Sequence, residues 1–309
     1  MNNNLIQHYS NGKLLLTAEY LVLYGAKALA VPLCFGQDME VDNAERGYLH
    51  WESLVMNQLW FSAKYKTDDL EIIFTTDPAK ASFLRSALLA AKALNPSFLG
   101  NKDGFYIQTN LNYPLEWGLG SSSTFVSNLA EWANVDPMKL HYSVSQGSGY
   151  DVACARAKKP LMFKLENNHP SWEEIRFCPP YARHISFLYL GQKQDTHCSI
   201  EEFRRNYVFS QQDIDIVENL TNQLIASQTV EEGMAIVEKH ERFMAGILRT
   251  EPVKERLFSD FEGAVKSLGA WGGDFAMVIS ALPFGDVKTY FSTRGFKTLF
   301  KFEEIVLMG

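Results

Sequence analysis

Four short segments of this chain combine residue types that can do chemistry. The first is Gly118-Leu119-Gly120-Ser121-Ser122-Ser123, which leads directly into a helical pattern. Glycines let a backbone wrap closely round a ligand, and the free N–H groups at a helix start attract anions. The serine hydroxyls add donors and possible metal contacts. The same residues also serve as a plain helix cap after a turn. The second segment is Gln146-Gly147-Ser148-Gly149-Tyr150-Asp151-Val152-Ala153. A carboxylate on such a tight turn can orient or deprotonate a hydroxyl, although Gly and Asp are ordinary turn residues as well. The third, Gly269-Ala270-Trp271-Gly272-Gly273-Asp274, allows close approach to a ligand or another loop, or is simply a flexible connection. The fourth is Asn11-Gly12-Lys13 at the head of an apolar run, where the lysine is either solvated or aimed at a site.

Several chemistries are excluded by pattern. No Gly-Lys-Ser/Thr ends the first segment, so it is not a Walker A loop, and Ser123 stands where Gly-x-Gly-x-x-Gly needs its last glycine. No Gly-x-Ser-x-Gly elbow supports a hydrolase. The seven histidines form no His-Glu-x-x-His cluster.

The elements that must position these segments are mixed. Residues 13–16 and 20–23 are short apolar, strand-like runs ahead of a turn at 25–27, and residues 71–75 and 105–109 read as further strands. Residues 79–94 are rich in Ala and Leu and stop before Asn95-Pro96, the signature of a helix with a defined end. Residues 123–133 carry apolar positions at helical spacing. Pro170, Pro179 and Pro180 interrupt residues 166–183, the best candidate for a domain junction. Beyond it come a strand at 184–190, capping-box spacing at 199–202, helices at 213–228 and 230–248, and a buried strand at 276–280. Residues 288–291 and 300–307 close the chain. Strands and helices mix without regular β-α-β alternation, so the fold class is α+β.

Composition bounds the rest. At 309 residues, two domains or one large one are expected. A net charge of −7 argues against nucleic acid as a partner, because such proteins carry a basic face. Cys34, Cys154, Cys178 and Cys198 form no Cys-x-x-Cys pair, which favours free thiols in or near the core and a reducing compartment. The N-terminus lacks a signal-peptide pattern, and the apolar stretch 14–35 is broken by Glu19, Lys27, Gly25 and Pro32. A cytoplasmic chain, with no membrane partner, is the expectation.

Together and in this order, the four segments resemble the GHMP kinases (galacto-, homoserine, mevalonate and phosphomevalonate kinases). Residues 11–23 look like the opening strands of mevalonate and phosphomevalonate kinases, and residues 118–123 resemble the family's phosphate loop. Residues 149–153 resemble its catalytic aspartate segment, and residues 269–274 its C-terminal glycine motif. The resemblance implies a two-domain α+β fold, with an N-terminal domain like ribosomal protein S5 domain 2 over residues 1–180. A ferredoxin-like domain would cover residues 181–309. It implies ATP between them, its phosphates held by Gly118, Leu119, Gly120, Ser121, Ser122 and Ser123, with Mg²⁺ taking the Ser122 hydroxyl. Asp151 would be the catalytic carboxylate and Lys13 its partner beside the acceptor oxygen. Glu19, Tyr20, Lys193, Gly272 and Gly273 would line the acceptor. The expected partner is a small-molecule acceptor, and the expected state a monomer or homodimer.

Residues 140–145, where mevalonate kinases carry a metal-holding Glu, have no carboxylate here, which leaves Glu131 on the preceding helix as a candidate substitute. Trp271 replaces a glycine usual in the third motif, and the interval from the phosphate loop to Asp151 is short for the family. Tyr20 in place of the usual His, the 147–151 segment and Asp274 resemble the phosphomevalonate branch. Chemistry points the other way: a phosphate monoester, with its second pKa near roughly 6, is already ionised and needs no base. A hydroxyl acceptor such as mevalonate needs Asp151 more. An inactive nucleotide-binding regulator and a diphosphomevalonate decarboxylase-like enzyme are the alternatives. Residues 48–66, with Trp51 and Trp60, supply either aromatic contacts to a base or core.

Overall fold

The structure, a computed structural model, describes residues 5–100, 103–191, 201, 203–271 and 274–309. Its residues group into two compact units, and the chain passes between them at 12/13, 34/35, 115/116, 118/119 and 156/157.

The first unit is built on a sheet in the order β5-β4-β3-β6-β2, with β1 (Ile6–Leu15) also paired to β2. These strands are β2 (Ala28–Ala44, from Phe35 in this unit), β3 (Tyr48–Val55), β4 (Gln58–Lys66), β5 (Ile72–Thr75) and β6 (Gly104–Leu111). Met56 and Asn57, with φ of 51° and 64°, make a two-residue turn between β3 and β4, the backbone twist that antiparallel hairpins favour. β3 runs parallel to β6, because β4, β5 and helix α1 (Pro78–Leu94) intervene between them. α1 starts where its sequence dictates. Asp77 caps it by accepting from the amides of Ala79 and Lys80, Pro78 stands at its first position, and Ala81, Leu84, Ala87, Leu88 and Ala91 form its buried face. Helices α2 (Ser121–Trp132), α3 (Pro137–Val144) and α4 (Tyr150–Arg156) complete the unit. Trp51 is buried core, with its ring edge-on to Phe125, whereas Trp60 is part-exposed beneath the Lys80 ammonium.

In the second unit, β2 begins by pairing Ala28–Ala30 with Phe163–Leu161 of β7 (Leu161–Glu166), and β8 (His169–Glu174) pairs in turn with β7. Residues 166–183 were expected to hold a junction; part of them is this β7–β8 hairpin instead. β8 is the last strand of its sheet, where Pro170 is tolerated, and the proline hid the strand from the sequence pattern. A four-stranded antiparallel sheet in the order β10-β11-β9-β12 comprises β9 (Ile185–Tyr189), β10 (Ala264–Ser267), β11 (Phe275–Ile279) and β12 (Leu299–Lys301). Helices α5 (Gln211–Ala226), α6 (Val230–Leu248), α7 (Val253–Leu257), α8 (Phe284–Thr293) and α9 (Phe302–Ile305) accompany it. Leu188, Val265, Ala276, Val278, Phe258, Phe291 and Val287 share one core cluster.

Two expectations change. Residues 20–23 form no strand: Leu21–Tyr24 is a single tight 3₁₀ turn, because Ala18 and Tyr20 take left-handed φ of 62° and 60° and break the extended run. Among the described cysteines, only Cys154 is buried, while Cys34 and Cys178 are exposed. The capping-box residues at 199–202 lie outside the described residues except Glu201. No helix among the described residues is long and apolar enough to cross a membrane.

Candidate functional site

The glycine–serine segment turns as its sequence requires. Gly118 and Gly120 adopt φ of 65° and 99°, and α2 begins at Ser121 with no side-chain cap on its first amides. Ser123 turns back to donate to the Gly120 carbonyl at 2.8 Å, and Thr124 donates to Gln37 Oε1 at 3.1 Å. Ser122 is exposed. The result is a helix start whose first amides carry no side-chain cap and whose Ser122 is exposed, features of an anion-binding helix end. Gly12, just before Lys13, is closely packed: a Cβ there would lie 3.0 Å from the carbonyl oxygens of both Leu119 and Phe35.

In the same unit, Asp151 opens α4, and its Oδ1 accepts from the amide of Val152 at 3.0 Å. The turn before it is tight, since Gly149 has φ of 90° and a Cβ there would sit 3.0 Å from Met138 Sδ. Tyr142 donates to the Ser148 carbonyl at 2.8 Å; burial first, then the Asp151 charge, raises its phenol pKa. Glu131 is engaged by Arg156 and lies 3.3 Å from His8 Nδ1. Magnesium ordinarily keeps waters, phosphate oxygens and one or two carboxylates. The donor set here offers the Ser122 hydroxyl, with Glu131 committed to an arginine.

In the second unit, Lys13 donates from Nζ to the Gly118 carbonyl at 3.0 Å. Asp274 packs against Gly118 so closely that a Cβ on that glycine would lie 2.5 Å from its Oδ2. Trp117 is set among Phe300, Phe275 and Tyr189, with ring centroids 5.2, 6.1 and 6.2 Å away. The Tyr189 hydroxyl donates to the Glu116 carbonyl at 3.2 Å. Thus Lys13, Asp274 and Trp117 converge on the first residue of the glycine segment. Tyr20 donates to the Ala270 carbonyl at 2.9 Å, so the opening strands and the third glycine segment also meet.

Glu19 is fully buried and ion-paired with Lys266, itself fully buried. Burial lifts the Glu19 pKa to about 7, against the lowering effect of Lys266. Sequence reasoning missed Lys266, His240, Glu241 and the Trp117 setting. The available signal for Lys266 was one charge in the apolar run Ala264-Val265-Lys266. Lys193, Gly272 and Gly273 lie outside the described residues.

No family profile and no curated protein sequence matches the chain. Solved structures do, and they show its fold: the chain has the fold of the GHMP kinases. It is similar to a crystal structure of mevalonate kinase at TM-score 0.72 and 15% identity, covering 98% of this chain and 99% of that one. Against the Streptococcus pneumoniae phosphomevalonate kinase in complex with phosphomevalonate and AMPPNP, the TM-score is 0.70 at 17% identity, with 95% and 99% covered. Against the Lactococcus lactis galactokinase complexed with galactose it is 0.70 at 12% identity, with 99% and 94% covered.

Proposed function

We propose that the chain is an ATP-dependent small-molecule kinase that transfers the γ-phosphoryl group to an alcohol or phosphate acceptor, with phosphomevalonate or mevalonate first among them. The observation that carries this reading is the convergence at Gly118: a glycine turn opens α2, and Lys13 is held on its carbonyl. Phosphoryl transfer needs mainly positioning and neutralisation of charge. The first amides of α2 and the hydroxyls of Ser121 and Ser122 cradle the nucleotide phosphates. Lys13 stabilises the attacking oxygen, and Asp151 orients it or takes its proton. Bound Mg²⁺ would neutralise the phosphates, with Ser122 as its ligand from this chain. Tyr20, with Lys193, Gly272 and Gly273, is assigned to the acceptor side, and the fully buried Glu19 acts there through its neighbour Tyr20.

A nucleotide-binding regulator without turnover is the second reading. The commitment of Glu131 to Arg156 favours it, because residues 140–145 hold no carboxylate of their own. The deciding experiment is ADP release from Mg·ATP with mevalonate, phosphomevalonate, diphosphomevalonate, homoserine and sugars, with CO₂ followed in parallel. Release dependent on one acceptor, without CO₂, is the expected result; CO₂ alongside ADP identifies a decarboxylase. Nucleotide binding with no turnover on any compound supports the regulator. Asp151→Asn should keep nucleotide affinity while turnover falls about 100-fold or more. Turnover equal to the parent's removes Asp151 from the mechanism.

A further inference from the structure

The second unit contains a charged cluster that the phosphate chemistry does not use. Lys266, Glu19, His240 and Glu241 are all at most 2% exposed, yet three of them carry carboxylate or ammonium groups. Lys266 pairs with Glu19 and also donates to the Ser267 carbonyl at 2.9 Å. Glu241 accepts from the Ser267 amide at 3.0 Å, the Ser267 hydroxyl at 3.1 Å and the Val253 amide at 3.0 Å. His240 Nε2 accepts the Ala18 amide at 3.1 Å and lies 3.8 Å from Glu19 Oε2. A ring nitrogen that accepts an N–H has no proton of its own, so this histidine is neutral with its proton on Nδ1.

Buried ion pairs are poor sources of stability, since apolar side chains of the same volume often serve as well. What this one does is geometric. Ala18 and Tyr20, on either side of Glu19, both occupy left-handed backbone, which non-glycine residues hold only where the surroundings over-determine it. His240 fixes the amide of the first, and Lys266 fixes the side chain between them. Tyr20 then stacks on Phe203, with centroids 4.7 Å apart and planes 12° apart, and donates to the Ala270 carbonyl. Lys266 lies on β10, a few residues ahead of that same carbonyl. The cluster therefore ties together the two segments that Tyr20 bridges.

We propose that Lys266 and His240 are positioning residues, holding the Ala18–Glu19–Tyr20 turn so that Tyr20 is presented to the acceptor beside the glycine segment at Gly269. The acceptor part of this statement rests on the kinase reading; the geometric part does not.

The test uses the full-length chain. Lys266→Met alone strands a buried carboxylate and is expected to unfold or melt early. Glu19→Gln with Lys266→Met removes both charges at nearly constant volume and is expected to fold and to melt near the parent. In that double variant, hydrogen exchange of residues 18–24 and 268–271 should accelerate about tenfold, with the rest of the chain unchanged. The acceptor KM should rise about tenfold while the KM for Mg·ATP holds, because a displaced positioning group weakens only what it orients. His240→Gln, whose amide oxygen can still accept from Ala18, should retain the parent KM, and His240→Leu should not. Parent-like exchange in both segments in the well-folded double variant overturns the proposal. So does an unchanged acceptor KM. A parent inactive on every acceptor instead defeats the kinase reading, and the exchange result still decides the positioning role.

Discussion

Gly118 shows how much a single position carries. Its φ of 65° is strained for any other residue, and the space where a side chain would stand is filled by the Asp274 carboxylate. Gly118→Ala should therefore cost about 1–3 kcal/mol from backbone strain and crowding, read as a lower urea midpoint. Asp274→Ala in the same chain should recover the crowding part. Equal costs in the two backgrounds would mean that Asp274 is not what excludes the side chain. The turn before Asp151 was legible because Gly149 marks it, and the close approach at Gly12, inside β1 and just before Lys13, leaves its trace as a glycine. Lys266 was not legible. Its partner Glu19 lies 247 residues away, and no spacing rule reaches that far.

Among the elements, α1 was read nearly whole, because Ala and Leu periodicity and the Asn95-Pro96 stop are local signals. α6 was read to its observed bounds, and its Thr229–Glu232 capping box explains why it starts at Val230. The turn at Leu21–Tyr24 was misread, since its geometry comes from contacts with α6 and β10 and not from its own apolar run. α6 also carries a pH response. Burial first, then the Lys266 charge, pushes the His240 pKa well below its ordinary value of 6.5. Above pH 6.5 the ring is neutral in folded and unfolded chains alike. Below it the unfolded chain takes a proton that the folded one refuses, so stability is lost as pH falls. Glu19, with its raised pKa, works in the opposite sense as pH drops from about 7, and Lys266 and Glu241 share its surroundings. A comparison that retains Glu19 isolates the histidine. Between pH 7.5 and 5.5 the parent should lose roughly 1 kcal/mol more than His240→Gln in urea titrations. Parallel curves would show that the folded ring titrates normally.

At the scale of the whole molecule, the α+β class and the motif order were readable, whereas the assignment of residues to units was not. Hydrophobic pattern shows which residues are buried but not which core they join. β2 is the instance: its residues from Phe35 pair with β6, and its Ala28–Ala30 pair with β7. Because the chain passes between the units at 12/13, 34/35, 115/116, 118/119 and 156/157, each unit's core depends on strands that continue into the other. Heating should give a single calorimetric transition with matching calorimetric and van't Hoff enthalpies. Two resolved peaks would show that the units melt independently.

The shared strand also governs how this protein can be taken apart. Residues 157–309 form one continuous stretch, yet their unit includes Leu14, Leu15 and Leu16 from β1 and its exit, and Ala28–Cys34 from β2. A fragment cut at 157 would leave β7 with a bare edge where Ala28–Ala30 belong, an invitation to self-association. Truncation is thus the wrong tool for assigning activity to either half. Two complementary fragments co-expressed to reassemble across β2 are the form in which a divided chain would survive.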